Sequence, residues 1–229
     1  MTDKSGDNQV RQIRDAQSGI HKNLAMLLSK HFANSYEKPI AQHTQNAFDA
    51  IKPTVITALE EGKALIFDSG CGTAMSTHQI AGAYPQSLVL GIDRSAVRLS
   101  KAYNQSLPHN AHLIQADCVD FWLLARQAGW QLSRHYLLYP NPYPKAKHIK
   151  RRWHGHPIFP TLLALGGEIE LRTNWRVYAE EFCMALALSP VNERATQAVE
   201  IIQPDRPMTL FEKKYQENGQ ELYRCRISL

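Results

Sequence analysis

Ala64-Leu65-Ile66-Phe67-Asp68-Ser69-Gly70-Cys71-Gly72-Thr73-Ala74 decides the fold. A short apolar run ends on an acid, and a glycine-rich turn leads into a helical pattern that reaches about Gly82. Strand, glycine turn and helix in that order open a nucleotide-binding α/β unit. Gly70 and Gly72 permit positive φ and close approach of a ligand to the backbone. Asp68 falls at the carboxyl end of the strand, the side on which open α/β sheets bind ligands. Alone, Asp68 reads more readily as a turn or cap residue, and Gly-x-Gly occurs by chance, so the neighbouring segments have to decide.

Downstream, acids recur at strand ends. Leu88-Val89-Leu90-Gly91-Ile92 ends at Asp93, which is placed to accept the ribose hydroxyls of an adenosine. A helix is expected from Arg94 to Asn104, with Val97 and Leu99 apolar. His112-Leu113-Ile114-Gln115 leads to Ala116-Asp117, where Asp117 is at the depth of an adenine amino group. Val119 to about Gln127 reads as a helix, and the fourth strand runs from about Arg134 to Tyr139. Later elements are a helix from Pro157 to Leu165 ended by Gly166-Gly167, a strand at Glu168–Thr173 and a helix from Asn174 to Leu188 capped by Asn174. Val199–Ile202 and Glu221–Ile227 alternate as the last two strands. Upstream, Ile20–Phe32 and Ile40–Leu59 carry helical stripes, and Pro53 is expected to divide or kink the second.

After the fourth strand comes Pro140-Asn141-Pro142-Tyr143-Pro144-Lys145. Three prolines exclude helix and central strand and hold a stiff loop around one amide side chain, Asn141. Lys145, Lys147, Lys150, Arg151 and Arg152 follow, interleaved with His148 and Trp153. The bland reading is a solvated charge run; beside a rigid elbow, contact with phosphates is the sharper one. Trp153 reads either as a core anchor or as a stacking platform.

The glycine turn lacks the third glycine of a dinucleotide fingerprint and the Gly-Lys-Ser/Thr of an ATP loop. It is similar to the Asp/Glu-x-Gly-x-Gly-x-Gly loop of class I methyltransferases, with Ala74 in place of the last glycine. Pro140 to Arg152 closely resembles the Pro-Asp-Pro-Trp-Pro-Lys-Lys-x-His-x-Lys-Arg-Arg signature of the tRNA (guanine-N7)-methyltransferases. Thr173-Asn174 resembles that family's Thr-Asp pair, and Thr209-Leu210-Phe211-Glu212 its Thr-x-Phe-Glu segment.

The resemblance implies a single Rossmann-like domain, with a mostly parallel seven-stranded sheet, an antiparallel last strand and helices on both faces. It implies S-adenosyl-L-methionine as cofactor, contacted by Asp68, Gly70, Gly72, Asp93 and Asp117, and tRNA as partner. Asn141 takes the catalytic place. Lys145, Asn174, Thr209, Phe211 and Glu212 take substrate places, and Lys147, Lys150, Arg151 and Arg152 would hold the RNA backbone. Asn141 and Asn174 stand where the family carries aspartates. A divergent target, another RNA base or a small substrate, and an idle RNA- or cofactor-binding paralogue are therefore alternatives. Asn-Pro-Tyr also resembles the elbow of amino-group methyltransferases, although the lysine-rich continuation favours the tRNA family.

Composition agrees with one domain. Among 229 residues, Lys and Arg number 26 against 21 Asp and Glu, a net charge of +5. That excess matters mainly where it clusters. Four widely spaced cysteines form no Cys-x-x-Cys pair, so neither zinc nor a redox motif is indicated, and no His/Asp/Glu spacing suggests another metal. Met1 to Gln17 is polar without the apolar core of a secretory signal, and no run is long enough to span a bilayer. The expectation is a reduced cytoplasmic protein, monomeric or weakly dimeric. Residues 1–18 would form a flexible tail, and residues 19–229 the catalytic domain, with a helical cap over about 19–60.

Overall fold

The computed structural model describes residues 16–102, 106–190 and 198–229. Helices α1 (Leu24–Ala33) and α2 (Gln42–Glu60) precede β1 (Ala64–Ser69), α3 (Met75–Ala83), β2 (Ser87–Asp93), α4 (Ala96–Ala102) and β3 (Ala111–Gln115). Then come α5 (Cys118–Gln127), β4 (Arg134–Leu138), two 3-10 turns (Ala146–Arg151 and Trp153–Gly155), α6 (Phe159–Ala164), β5 (Glu168–Thr173) and α7 (Arg176–Ala187). The chain ends with β6 (Glu200–Ile202), α8 (Leu210–Glu217) and β7 (Leu222–Ser228). The expected tail falls largely outside the described residues, as does the end of the helix expected to reach Asn104. Gln17, expected in that tail, is held in place, its backbone N–H donating to the Pro144 carbonyl at 2.9 Å.

The seven strands lie in the order β3-β2-β1-β4-β5-β7-β6. β1 pairs in parallel with both β2 and β4, whereas β7 runs antiparallel to β5 and β6. From β1 the chain winds outward through β2 and β3, then returns to the other side of β1 as β4. The strand order thus reverses between β1 and β4, and a crevice opens there at the carboxyl ends.

The two-residue period of the strands sorts side chains between two cores. Leu65, Phe67, Leu90, Ile92 and Leu137 face a large cluster built with Phe48, Phe121, Trp122, Phe159 and Phe182. Ile66, Val89, Tyr136 and Leu138 face a smaller one with Ile80 and Ala81 of α3. The same alternation sends Asp68 toward α3 and Ser69 toward α5. Gly91 on β2 allows the close approach of α3, since a β-carbon there would lie 2.5 Å from Thr77 Oγ1.

The N-terminal helices close the larger face. Phe48, Ile51 and Val55 of α2 are buried in it. Pro53 neither divides nor interrupts α2, which runs unbroken over 19 residues. Pro53 is exposed, so the carbonyl it deprives of a partner can face water. Other differences are small. α7 is entered through Trp175 with no side-chain cap, so Asn174 is not the cap expected, and α8 forms where only a connection was expected. Cys183 on α7 and Cys225 on β7 are joined as a disulfide, against the expectation of four reduced thiols.

Asp120 of α5 anchors the segment between α1 and α2. It is fully buried, pairs with Lys38 and accepts from the Ala41 N–H at 2.9 Å. Replacing it with alanine leaves the Ala41 N–H without this acceptor and gives Lys38, 34% exposed, over to water. Asp120→Ala is expected to lower stability by roughly 2 kcal/mol, read as a lower urea midpoint with an unchanged slope.

Candidate functional site

A cavity of about 460 Å³ occupies the crevice. On the β1–β3 side it is lined by Ser69, Gly70, Asp93, Arg94, Asp117 and Cys118, and on the β4 side by Tyr139 to Tyr143. Gly70 and Gly72 both take positive φ, as does Ala74 at 60°. Ala74 thus occupies the left-handed position that the resembling loop gives to glycine. Gly70 N–H and Cys71 N–H donate to the Ile92 carbonyl, and Gly72 N–H donates to Asp93 Oδ2 at 2.9 Å. The turn is therefore latched to the end of β2.

Asp93 also accepts from Ser95 N–H at 2.8 Å and pairs with Arg98. A carboxylate has about four lone-pair sites, so capacity remains for a ligand. Asp117 caps α5, accepting from Val119 N–H at 2.9 Å through one oxygen, Oδ1. Two acids and an open glycine turn on one wall suit a nucleoside with ribose hydroxyls and an amino group. Asp68 departs from the sequence expectation of direct cofactor contact. It is 1% exposed, does not line the cavity, and accepts from Ser76 and Thr77 hydroxyls at 2.6 Å each. Burial raises its carboxyl to about 6 despite those hydroxyls. Through Oδ2 it ties the turn to α3, while Oδ1 is buried without a hydrogen-bond partner. Among the described residues no group of three His, Cys, Asp or Glu is placed to hold a metal.

The elbow forms the opposing wall. β4 stops at Leu138 because Tyr139 turns to φ 52°, and Tyr143 lies at φ 43°. Positive φ at bulky residues costs on the order of 1–3 kcal/mol each and persists only where the surroundings enforce it. Here they do. Tyr139 N–H donates to the Arg172 carbonyl at 2.8 Å, and its hydroxyl donates to Glu212 at 3.0 Å. Tyr143 N–H donates to Asn141 Oδ1 at 3.3 Å, and the Arg151 guanidinium lies 5.6 Å from the Tyr143 ring centre. Asn141 is exposed to the cavity. With its carbonyl oxygen turned onto the elbow backbone, its amide N–H groups are left for a ligand.

Arg152 departs furthest from its expected role at the RNA backbone. Its side chain is completely buried. The guanidinium donates to the Tyr143 carbonyl at 3.0 and 3.3 Å, to the Lys145 carbonyl at 3.3 Å and to Glu181 at 2.5 Å, and lies over the Trp175 ring. Glu181, also buried, accepts further from His154 Nε2, Gln17 and His21 N–H. Burial alone would raise its carboxyl; the His154 hydrogen bond and the Arg152 charge overcome this and bring it to about 2. Lys145, Lys147, Lys150 and Arg151 are exposed, and of these only Arg151 lines the cavity.

The C-terminal segment divides similarly. Thr209 Oγ1 accepts from Glu212 N–H at 3.0 Å while Glu212 Oε2 accepts from Met208 N–H at 2.5 Å, close to a reciprocal capping box. Glu212 is buried and also binds Arg172. Thr209 and Glu212 therefore cap α8 and lock it to β4 and β5. Phe211 is exposed, lines the cavity and stacks with Tyr215. Asn174 lines the cavity and donates to Gln220 at 2.8 Å. Ser69, Arg94, Tyr178 and Tyr215 also line the cavity without having been singled out. Ser69 alone carried a signal, as the residue between the strand-end acid and the first glycine.

Sheet order, glycine turn and strand-end acids together define a class I methyltransferase. Similar architectures include "Structure of an Antibiotic Related Methyltransferase", with a TM-score of 0.55 at 11% identity over 86% of this chain and 97% of that one. A second is the 16S rRNA (adenine(1408)-N(1))-methyltransferase from Catenulisporales acidiphilia, with a TM-score of 0.51 at 14% identity over 76% and 89%. A family model described as "Putative methyltransferase" matches residues 62–225. The tRNA (guanine-N(7)-)-methyltransferase of Treponema pallidum is 31% identical over 185 residues, 78% of this chain and 70% of that protein. Its counterpart in Thiobacillus denitrificans is 30% identical over 156 residues, 65% and 68%. The chain belongs to the tRNA (guanine-N7)-methyltransferase family.

Glu181 gives the clamp a pH signature. Its folded carboxyl lies at about 2, below the ordinary 4.5, so its contribution is complete above pH 4.5 and disappears as pH falls through 2. Glu181→Gln leaves Arg152 buried without its counter-ion and is expected to cost about 3–5 kcal/mol at pH 7. The gap between wild type and variant should narrow as denaturation is repeated from pH 4.5 toward pH 2; a constant gap would separate Glu181 from the acid response.

Proposed function

We propose that the protein transfers the methyl group of S-adenosyl-L-methionine to N7 of a guanine in tRNA. The observation that carries this reading is that the Asn141 elbow and Arg151 line the same cavity as Asp93 and Asp117. Family membership supports the substrate, since the relatives named above are tRNA (guanine-N7)-methyltransferases. The cofactor supplies an electrophilic methyl on a sulfonium. Asp93 would accept its ribose hydroxyls, Asp117 its adenine amino group, and the Gly70–Gly72 turn would lie beside its amino-acid portion.

Guanine N7 offers a lone pair and has no proton to lose. Attack on the methyl forms the N7–carbon bond, breaks the carbon–sulfur bond and leaves S-adenosylhomocysteine, with the positive charge moved to the base. The chain therefore has to align and stabilise rather than deprotonate. Asn141 fits this role through its free amide N–H groups, which suit an acceptor on the base edge; guanine O6, next to N7, is one. Phe211 and Tyr215 offer an aromatic surface for an unstacked base. Lys145, Lys147, Lys150 and Arg151 would hold phosphates, with a cytoplasmic location following from the tRNA substrate. The neutral Asn141 and Asn174 also suit a related target, an exocyclic amine on another base, and product analysis separates the two.

Purified protein, labelled cofactor and tRNA from cells lacking N7 methylation should yield label in 7-methylguanosine after nuclease digestion and mass spectrometry. Label confined to exocyclic amines would overturn the N7 assignment. Arg151→Ala should weaken tRNA binding and reduce the slope of log affinity against log salt by about 1, with unfolding unchanged.

A further inference from the structure

Ser69 sits at the end of β1, between the acid that ties down α3 and the first glycine of the turn. Ser69 lines the cavity, and its hydroxyl belongs to a buried polar set that the chemistry above does not use. Trp122 Nε1 donates to Ser69 Oγ at 3.0 Å, and His135 Nε2 lies 2.8 Å from the same oxygen. Trp122 and His135 are both fully buried. His135 Nδ1 is buried without a hydrogen-bond partner.

These contacts fix the direction of one proton. Indole N–H is a donor only, so one lone pair of Ser69 Oγ is taken. Burial lowers the His135 imidazole to about 3, so it is neutral and carries one N–H. A buried N–H without a partner is rarer and costlier than a bare acceptor, which places the proton on Nε2 and leaves Nδ1 bare. His135 then donates to Ser69 as well. With both lone pairs occupied, the O–H of Ser69 can serve only as a donor, and the residue lines the cavity.

The geometry points to Ser69 as a preset hydrogen-bond donor to the carboxylate of the cofactor, with Trp122 and His135 as positioning residues that hold its proton outward. This assignment rests on the methyltransferase reading. It follows from the layout of the sheet. Asp93 and Asp117 place the adenosine over β2 and β3, and the elbow after β4 takes the substrate. β1, between them, is left for the amino-acid tail. That tail carries the cofactor's one anionic group, and the surrounding strand-end acids repel it. A donor without charge provides attraction there, and the cradle is set before binding, at no cost in rearrangement.

The test is a cycle between one protein atom and one ligand group. Calorimetry would compare S-adenosylmethionine with its decarboxylated analogue on wild type, Ser69→Ala and Ser69→Thr. Ser69→Ala should weaken S-adenosylmethionine roughly tenfold or more, change the analogue less than about threefold, and be rescued by Ser69→Thr. Equal loss for both ligands, or loss for neither, overturns the assignment. Wild type that binds neither ligand overturns the methyltransferase reading and the assignment with it. Should Ser69→Ala fail to fold, nitrogen-15 spectra of wild-type His135 decide: a protonated Nε2 is expected, and a protonated Nδ1 overturns the proposal.

Discussion

Arg152 is a charge with no access to water, and the elbow, the N-terminal segment and α7 are all tied to it. A buried guanidinium carries a desolvation cost of several kcal/mol unless its donors are used and its charge is met. Both conditions hold. Glu181 meets the charge at 2.5 Å, and the carbonyls of Tyr143 and Lys145 take the remaining fork. The planar fork reaches all three at once, which a lysine could not do. Through Tyr143, the clamp holds a backbone conformation that a bulky residue otherwise avoids. Through Glu181, it gathers Gln17, His21 and His154 onto α7. Gly155 completes the packing, because a β-carbon there would meet the Ile149 carbonyl oxygen at 2.2 Å.

This constraint lets the elbow stay rigid where its neighbours are open. Asn141 stands at the carboxyl end of β4, next to the strand that carries the glycine turn, so topology brings two unrelated segments to one crevice. The glycine-turn wall is built from hydrogen bonds between the turn and β2. The elbow wall is built from strain held by buried ions. Methylation at a ring nitrogen with a free lone pair needs alignment more than proton transfer, and a preformed wall on either side supplies alignment.

The fold was legible because it rests on local periodicity. Alternation in β1, β2 and β4 and the glycine turn after β1 follow directly from residue type. Two of the strand-end acids singled out, Asp93 and Asp117, line the cavity, but the alternation that brings Asp68 to α3 also turns it away from the cavity. What stayed hidden were buried ions. Lys145 to Arg152 read as one basic run, yet Arg152 points inward while its neighbours stay out, and no local signal marks the distant Glu181 as its partner. Thr209 and Glu212 form a capping arrangement visible in their spacing, which the resemblance had turned toward substrate. Pro53 suggested a break, but tertiary burial of Phe48, Ile51 and Val55 keeps α2 intact. The Cys183–Cys225 pair joins residues 42 positions apart, and spacing alone could not show it.

We propose that the Asn141 elbow is the substrate half of a methyl-transfer site whose cofactor half is separate. Single-turnover rate and cofactor affinity measured together on Asn141→Ala test it most directly. The account predicts a loss of methyl transfer of about a hundredfold, with the dissociation constant for S-adenosylmethionine within about twofold of wild type. Unchanged transfer, or a parallel loss of cofactor binding, would contradict it.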